Sequence, residues 1–396
     1  MEVLMVGSAM TAFSRRDFDW VVVGAGLTGS TLAERVASQL GQRVLVIDRR
    51  PHVAGNAYDS PDQAGTLVHR YGAHIFHTKS QTVWRYLSNF TSWRSYEHRV
   101  LACIEGKLVP LPFNLNTLAA LFPRARAQAW EAALVKEFGD GSRVPVLKLL
   151  EHPRGDLASL GRYVYETFFL HYTEKQWGVR PEALDPAVTS RVPVIVGTDN
   201  RYFRDPYQGI PTHGYTAMVT KMLSHPLITV ALSTPYEEVR HRYPRARTIY
   251  TGAIDEFFGG AHGPLPYRSL RFEHHEVASG RSQPVAVVNY PNDFQYTRVI
   301  EHCHFHGTSP DQSTVTYEFP EPYLQGRNEP YYPLPTPASH QLYNKYRAET
   351  SRHLGKVFFV GRLANYRYFD MDQAVNQALL LFKRHLLWKD QLPVPA

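Results

Sequence analysis

Residues 20–48 constrain the fold more than any other stretch of the chain. Trp20-Val21-Val22-Val23 is a short apolar run, and Gly24-Ala25-Gly26-Leu27-Thr28-Gly29 follows it directly. A helical pattern from Ser30 to Leu40 stops at Gly41, and Val44-Leu45-Val46-Ile47 then reads as a second buried strand ending in Asp48. Strand, glycine turn, helix, strand and acid make a βαβ unit, and strands apolar on both faces belong in a parallel sheet. A lone glycine motif is weak evidence, but here each flanking element is in place. Gly24, Gly26 and Gly29 permit a tight turn and close backbone approach. The helix N-terminus faces a pyrophosphate, and Asp48 is placed to accept a ribose hydroxyl.

The stretch after Asp48, Arg49-Arg50-Pro51-His52-Val53-Ala54-Gly55-Asn56, carries a second glycine-containing turn. A nicotinamide dinucleotide needs no such turn. It suits the adenosine-side continuation of flavoproteins, with Arg49, Gly55 and Asn56 directed at the cofactor. The far end of the chain points the same way. Val357-Phe358-Phe359-Val360 is a buried strand running into Gly361-Arg362, and Asp370-Met371-Asp372 opens a helix to about Trp388. Its N-terminus is a second dipole site. A first βαβ unit that needs the last strand and helix implies one discontinuous cofactor domain. The expected fold class is therefore α/β: a discontinuous Rossmann-like FAD-binding domain with an inserted helical domain and an antiparallel β-sheet domain.

The expected boundaries are a flexible tail over 1–17, cofactor-domain segments at 18–100, 214–260 and 336–396, and a mainly helical domain at 101–185. A Pro-rich mobile substrate loop spans 186–213, and successive β runs over 261–335 give the antiparallel sheet. Composition narrows the setting. Cys103 and Cys303 are the only cysteines, which excludes a disulfide framework and suits a cytoplasmic protein. No run reaches the roughly 18 apolar residues of a membrane helix. The formal net charge of +7 and the 13% aromatic content suit anionic partners. Neither an RNP-type motif nor a Lys/Arg cluster supports nucleic-acid binding.

Several further segments resemble the UDP-galactopyranose mutase family, a group of bacterial flavoenzymes, from about Phe18 onward. They are Tyr71-Gly72-Ala73-His74-Ile75-Phe76-His77-Thr78, Phe168-Phe169, and Tyr172-Thr173-Glu174-Lys175-Gln176-Trp177-Gly178. Tyr296-Thr297-Arg298, Glu329-Pro330-Tyr331-Tyr332-Pro333 and Tyr366-Arg367-Tyr368-Phe369-Asp370-Met371-Asp372 complete the set. Departures are small: the N-terminal tail lies outside the pattern, and Ala54 stands where a second glycine is common.

The resemblance implies contraction of UDP-galactopyranose to UDP-galactofuranose on non-covalent, reduced FAD, with no net redox change and usually in a homodimer. In the family mechanism N5 of the flavin attacks the anomeric carbon, UDP departs, and the sugar recloses through its 4-hydroxyl. No paired-carboxylate signature or GxSxG elbow competes for the role of nucleophile. Arg191 and Arg298 resemble the diphosphate arginines, which fork two oxygens each and cannot lose their protons. Tyr332 and Tyr368 resemble phosphate-binding phenols. Phe168, Phe169 and Tyr172 are expected at the uracil, Tyr172 also as a third hydroxyl for the diphosphate, Thr173 in the substrate site, and Trp177 beside the sugar or flavin. His74 and His77 have a spacing that invites a metal, but no third ligand is near in sequence, and none is expected. The resemblance instead puts both by the isoalloxazine. The catalytic set is thus Arg191, Arg298, His74 and His77. Gly361, Arg362, Asp370, Met371 and Asp372 complete the cofactor set. The competing reading is a flavin amine oxidase or desaturase, which shares the discontinuous domain.

Overall fold

The computed structural model describes residues 17–185, 193–277, 281–307 and 313–387, and the backbone strand Leu4–Met5. Its central element is a six-stranded, all-parallel sheet. The strand order is Leu4–Met5, Ile228–Leu232, Val44–Ile47, Trp20–Val23, Arg247–Tyr250 and Val357–Phe359. The strands come from both ends and the middle of the chain, so the domain is discontinuous as expected. Helices Leu27–Arg35 and Met371–Leu381 pack side by side on one face. Leu32, Ala33 and Val36 meet Val375 and Ala378 there, over Val22, Val46 and Ile249. Each large side chain so buried contributes about 1.5–3 kcal/mol relative to exposure.

The second sheet has seven strands, ordered Tyr332–Pro333, Tyr267–Val277, Ser313–Pro322, Arg298–Glu301, Val287–Asn289, Val100–Ile104 and Lys107–Leu111. It is antiparallel except where Val287–Asn289 runs parallel to Val100–Ile104. The hairpin Val100–Leu111 therefore belongs to this sheet and not to the helical unit, which starts at Leu115. Strand Arg298–Glu301 is followed by a helical turn, Cys303–His306, inside the region expected to be all β.

Three other boundaries shift. Leu4–Met5, assigned to a loose tail, pairs with Ala231 and Leu232 at the sheet edge. The Pro-rich stretch is not one long loop: Pro193–Ile195 pairs with Arg143–Pro145. Tyr207–Pro211 is the middle strand of a small sheet with Phe76–Thr78 and Trp93–Ser95. Residues 186–192, Arg191 among them, lie outside the described residues. The last cofactor-domain segment opens with an unexpected helix, Pro337–Glu349. Thr336 caps it by accepting from the Ser339 amide, and Pro337 sits in its first turn.

The helical unit ends in the element that matters most for the site. Helix Gly155–Val164 widens into a π turn, Tyr165–Leu170, and resumes as an α-helix over His171–Trp177. In a uniform α-helix Phe168 and Tyr172, four apart, share a face. The widened turn separates them. Phe168 is buried edge-on against Phe113 in the helical core, while the Tyr172 hydroxyl accepts from Arg298 Nε of the seven-stranded sheet at 3.0 Å.

Candidate active site

The glycine turn and the second glycine loop form one cradle. Ala54 N donates to Ala25 O at 2.9 Å, and a Cβ on Gly55 would come within 3.0 Å of the Gly26 Cα. A Cβ on Gly29 would lie 1.9 Å from the Gly24 carbonyl oxygen. The backbone approach demanded of these positions is thus met, and the bare backbone leaves room for a pyrophosphate at the helix N-terminus.

A single long cleft runs over this cradle. Gly24, Gly26, Gly29, Asp48, Arg49, Gly55, Asn56, His74, Gly361, Arg362, Asp370 and Met371, all expected at the cofactor, line it. Its Asp48 end also has Thr234, Glu237 and Glu256, and its other end has Tyr331, Phe369 and Met371. The lining suits a dinucleotide lying across the ends of parallel strands.

Several details differ from expectation. Both Asp48 oxygens accept backbone N–H groups, from Ala25 at 2.8 Å and Arg50 at 2.9 Å, so Asp48 braces the glycine turn as well as lining the cleft. Arg49 is ion-paired with Glu329 at 2.6 Å and reaches Glu256 at 3.7 Å, tying the strand end to the 329–332 segment. Asn56 Oδ1 accepts from Arg50 at 3.0 Å. Asp372 does not line the cleft: its carboxylate accepts from the buried Thr78 hydroxyl at 2.9 Å and so pins the closing helix to strand Phe76–Thr78. Asp370 caps that helix in a reciprocal box with Gln373.

His74 and His77 part company. His74 Nδ1 donates to the Gly72 carbonyl at 2.8 Å, so the neutral ring keeps Nε2 free of its proton. Burial pushes its pKa down to about 4, with the Arg362 and Arg298 cations acting the same way. His77 instead bonds Asp205 at 2.7 Å and stacks on Phe203 with ring centres 3.5 Å apart. That contact joins strand Phe76–Thr78 to residues 203–205.

Beyond the His74 end of the cleft the remaining expected residues converge. Arg298, half-buried, holds Tyr172 and lies 3.7 Å from the buried Glu318 carboxylate. Burial disfavours its charge, but Glu318 together with the Tyr172, Tyr332 and Tyr202 hydroxyls outweighs this and the guanidinium pKa rises. The Tyr332 ring sits 5.9 Å from Trp177 and 5.7 Å from Tyr368, and Arg362 lies over both phenols at 5.5 and 5.0 Å. Burial pushes Tyr172 and Tyr368 up to about 12 and raises Tyr332 as well, so all three keep their protons at neutral pH and can donate to an anion. Phe169 and Thr173 are buried on the same helix. Phe168 packs in the helical core, edge-on to Phe113.

Three residues that sequence reasoning passed over belong to this constellation, beside Lys175 of the Tyr172–Gly178 motif. Glu318 pairs with Arg298. Tyr202 lies within electrostatic reach of both Arg298 and Tyr172. Arg268 donates to the Lys175 and Gln176 carbonyls, each at 3.1 Å, capping the end of the helix that bears Tyr172 and Trp177. Lys175 itself turns to the 290–296 segment. Of these only Lys175 had a sequence signal, as a cation in the last turn of a helix.

Glu301, Cys303 and His304 also come together. The Glu301 carboxylate accepts from the Ser282 and Gln283 amides and from His304 Nε2, which accounts for the grouping without an ion.

Comparison with known proteins agrees with this geometry. The family model described as UDP-galactopyranose mutase matches residues 167–368, and that for an NAD(P)-binding Rossmann-like domain matches residues 22–90. A probable UDP-galactopyranose mutase of Klebsiella pneumoniae is 37% identical over 364 residues, covering 91% of this chain and 92% of the relative. A dTDP-fucopyranose mutase of Escherichia coli is 32% identical, covering 91% and 96%. In fold, the chain resembles the crystal structure of a reduced UDP-galactopyranose mutase. The TM-score is 0.68 at 16% identity, with 91% of this chain and 92% of that one covered. The chain belongs to the UDP-galactopyranose mutase family.

Proposed function

We propose that this protein interconverts UDP-galactopyranose and UDP-galactofuranose with a non-covalent FAD in the long cleft, active when reduced. The observation that carries the reading is the juxtaposition of two sites. The His74–Arg362–Met371 end of a dinucleotide cleft opens onto Arg298, Tyr172, Tyr332 and Tyr368, a cation and three protonated phenols suited to a nucleoside diphosphate. When bound, the reduced flavin would supply the nucleophile for the sugar, through N5. The protein's own residues then have three tasks. Arg298 and the phenols hold the diphosphate while it is detached, so that its return is effectively intramolecular. Trp177 and Tyr332 wall off water. Neutral His74 presents an acceptor nitrogen beside the cofactor's reactive end. Arg191 is the second diphosphate cation in this scheme.

The test is conversion of UDP-galactofuranose by the purified protein with and without dithionite. Turnover confined to the reduced protein supports the reading, and none in either state refutes it. The 32% identity to a dTDP-fucopyranose mutase favours one second reading, a dTDP-sugar substrate. Running dTDP-fucofuranose in parallel decides between them.

A further inference from the structure

The Lys175 ammonium lies inside a ring of main-chain oxygens. Its three N–H groups are shared among the carbonyls of Tyr290, Asn292, Phe294 and Tyr296, at 2.5, 3.2, 2.9 and 3.2 Å from Nζ. These are alternate residues of the turn joining strands Val287–Asn289 and Arg298–Glu301. Four carbonyls turned inward on one point repel one another, and only a cation at their centre makes that turn favourable. Asn292 Nδ2 adds a second tie, to the Thr167 carbonyl at 3.1 Å in the π turn. Tyr290 N donates to Thr297 O at 2.9 Å and closes the base of the turn immediately before Arg298.

The position of the lysine gives the arrangement a purpose. Lys175 lies between Tyr172 and Trp177 on one helix, and the turn it gathers leads directly into Arg298. Its own carbonyl accepts from Arg268, whose strand pairs with Tyr332. We propose that Lys175 is a positioning residue. It locks the 290–296 turn to the Tyr172 helix and thereby sets the Arg298 guanidinium against the Tyr172 hydroxyl in the geometry that grips a nucleoside diphosphate. This rests on the nucleoside-diphosphate reading of the site.

Lys175→Met keeps the stem and removes the cation. Lys175→Gln keeps two N–H donors without the charge and replaces it where the methionine variant does not fold. In the flavin-loaded protein, UDP should bind roughly ten- to a hundredfold more weakly than to the wild type at equal FAD content. A purely structural defect would lower the amount of UDP bound at saturation and leave its affinity unchanged, which overturns the proposal. Lys175→Cys treated with 2-bromoethylamine rebuilds an ammonium at the same reach. It should regain most of the affinity, with wild type treated in parallel as the control for Cys103, and failure to regain it counts against the proposal. Amide hydrogen exchange gives a reading that needs no ligand. Exchange should quicken over 290–297 and 171–177 but not over 20–23 or 44–47, and unchanged exchange in the first two segments refutes the clamp. A wild type that binds no UDP overturns the site reading instead, and the exchange result then decides the role of Lys175 alone.

Discussion

Single atoms settle whether the cofactor cleft exists. At Gly29 a methyl group would sit 1.9 Å from the Gly24 oxygen, inside the turn that faces the phosphates. Gly29→Ala is expected to yield protein without flavin, read from its visible absorbance; a fully loaded variant would refute the assignment. Ala54 carries the opposite lesson. Its φ of +72° costs a non-glycine residue roughly 1–2 kcal/mol. Ala54→Gly relieves this and gives back part through unfolded-chain entropy, so a net gain of about 0.5 kcal/mol is expected in urea unfolding. Arg298→Ala should abolish turnover with FAD still bound, while loss of FAD would contradict its placement at the substrate. Glu318, the partner of Arg298, was illegible in the sequence because nothing local distinguishes a buried acid in Thr-Tyr-Glu-Phe from a solvent-facing one. Its meaning comes from a residue 20 positions away on the neighbouring strand.

Among the elements, the βαβ unit was legible because its signals are local: two apolar strands, a glycine turn and a helix within thirty residues. The same holds for the closing strand and helix. The helix ending in Trp177 was legible as a helix but not in phase, because one π turn rotates everything after it and leaves no mark in apolar spacing. That rotation sent Phe168 to the core and Tyr172 to the site. Strands Pro193–Ile195 and Tyr207–Pro211 were hidden by their prolines, which sequence rules assign to loops although a proline at the first or last position of a short strand is tolerated. Helix Pro337–Glu349 did carry a start signal in Thr336-Pro337-Ala338-Ser339, and that signal went unread. One element-scale prediction concerns the closing helix. Thr78→Val removes the buried donor to Asp372, which should cost about 1–3 kcal/mol of stability and weaken flavin retention. Unchanged melting and flavin content would show that Asp372 does not fix the helix.

At the scale of the whole molecule, two properties follow from how the parts meet. His69, His98 and His302 are buried where the sheets join, and burial holds each ring neutral, His98 down to about 3. Their folded pKa values lie below the ordinary 6.5, so below that pH the unfolded chain binds more protons than the native one. Stability should therefore fall as pH drops from 6.5, by roughly 1.4 kcal/mol per pH unit for each ring still neutral in the fold. The urea midpoint is expected to be lower at pH 5.5 than at 7.5, and equal midpoints would refute this account. The second property is closure. A chain ending at Gly355 lacks the strand beside Arg247–Tyr250 and the helix that lines the flavin end of the cleft. It should bind no FAD however much of it folds, and flavin in such a protein would disprove the shared architecture.

That late closure also orders events during synthesis. The first βαβ unit leaves the ribosome early, yet strand Arg247–Tyr250 keeps one edge open until Val357–Phe359 arrives more than a hundred residues later. At about 5–20 residues per second, that interval lasts several seconds or longer. Throughout it an apolar strand edge is available for wrong pairing. Flavin therefore has no finished berth in the nascent chain, and its capture is a check that the two ends of the polypeptide have found each other.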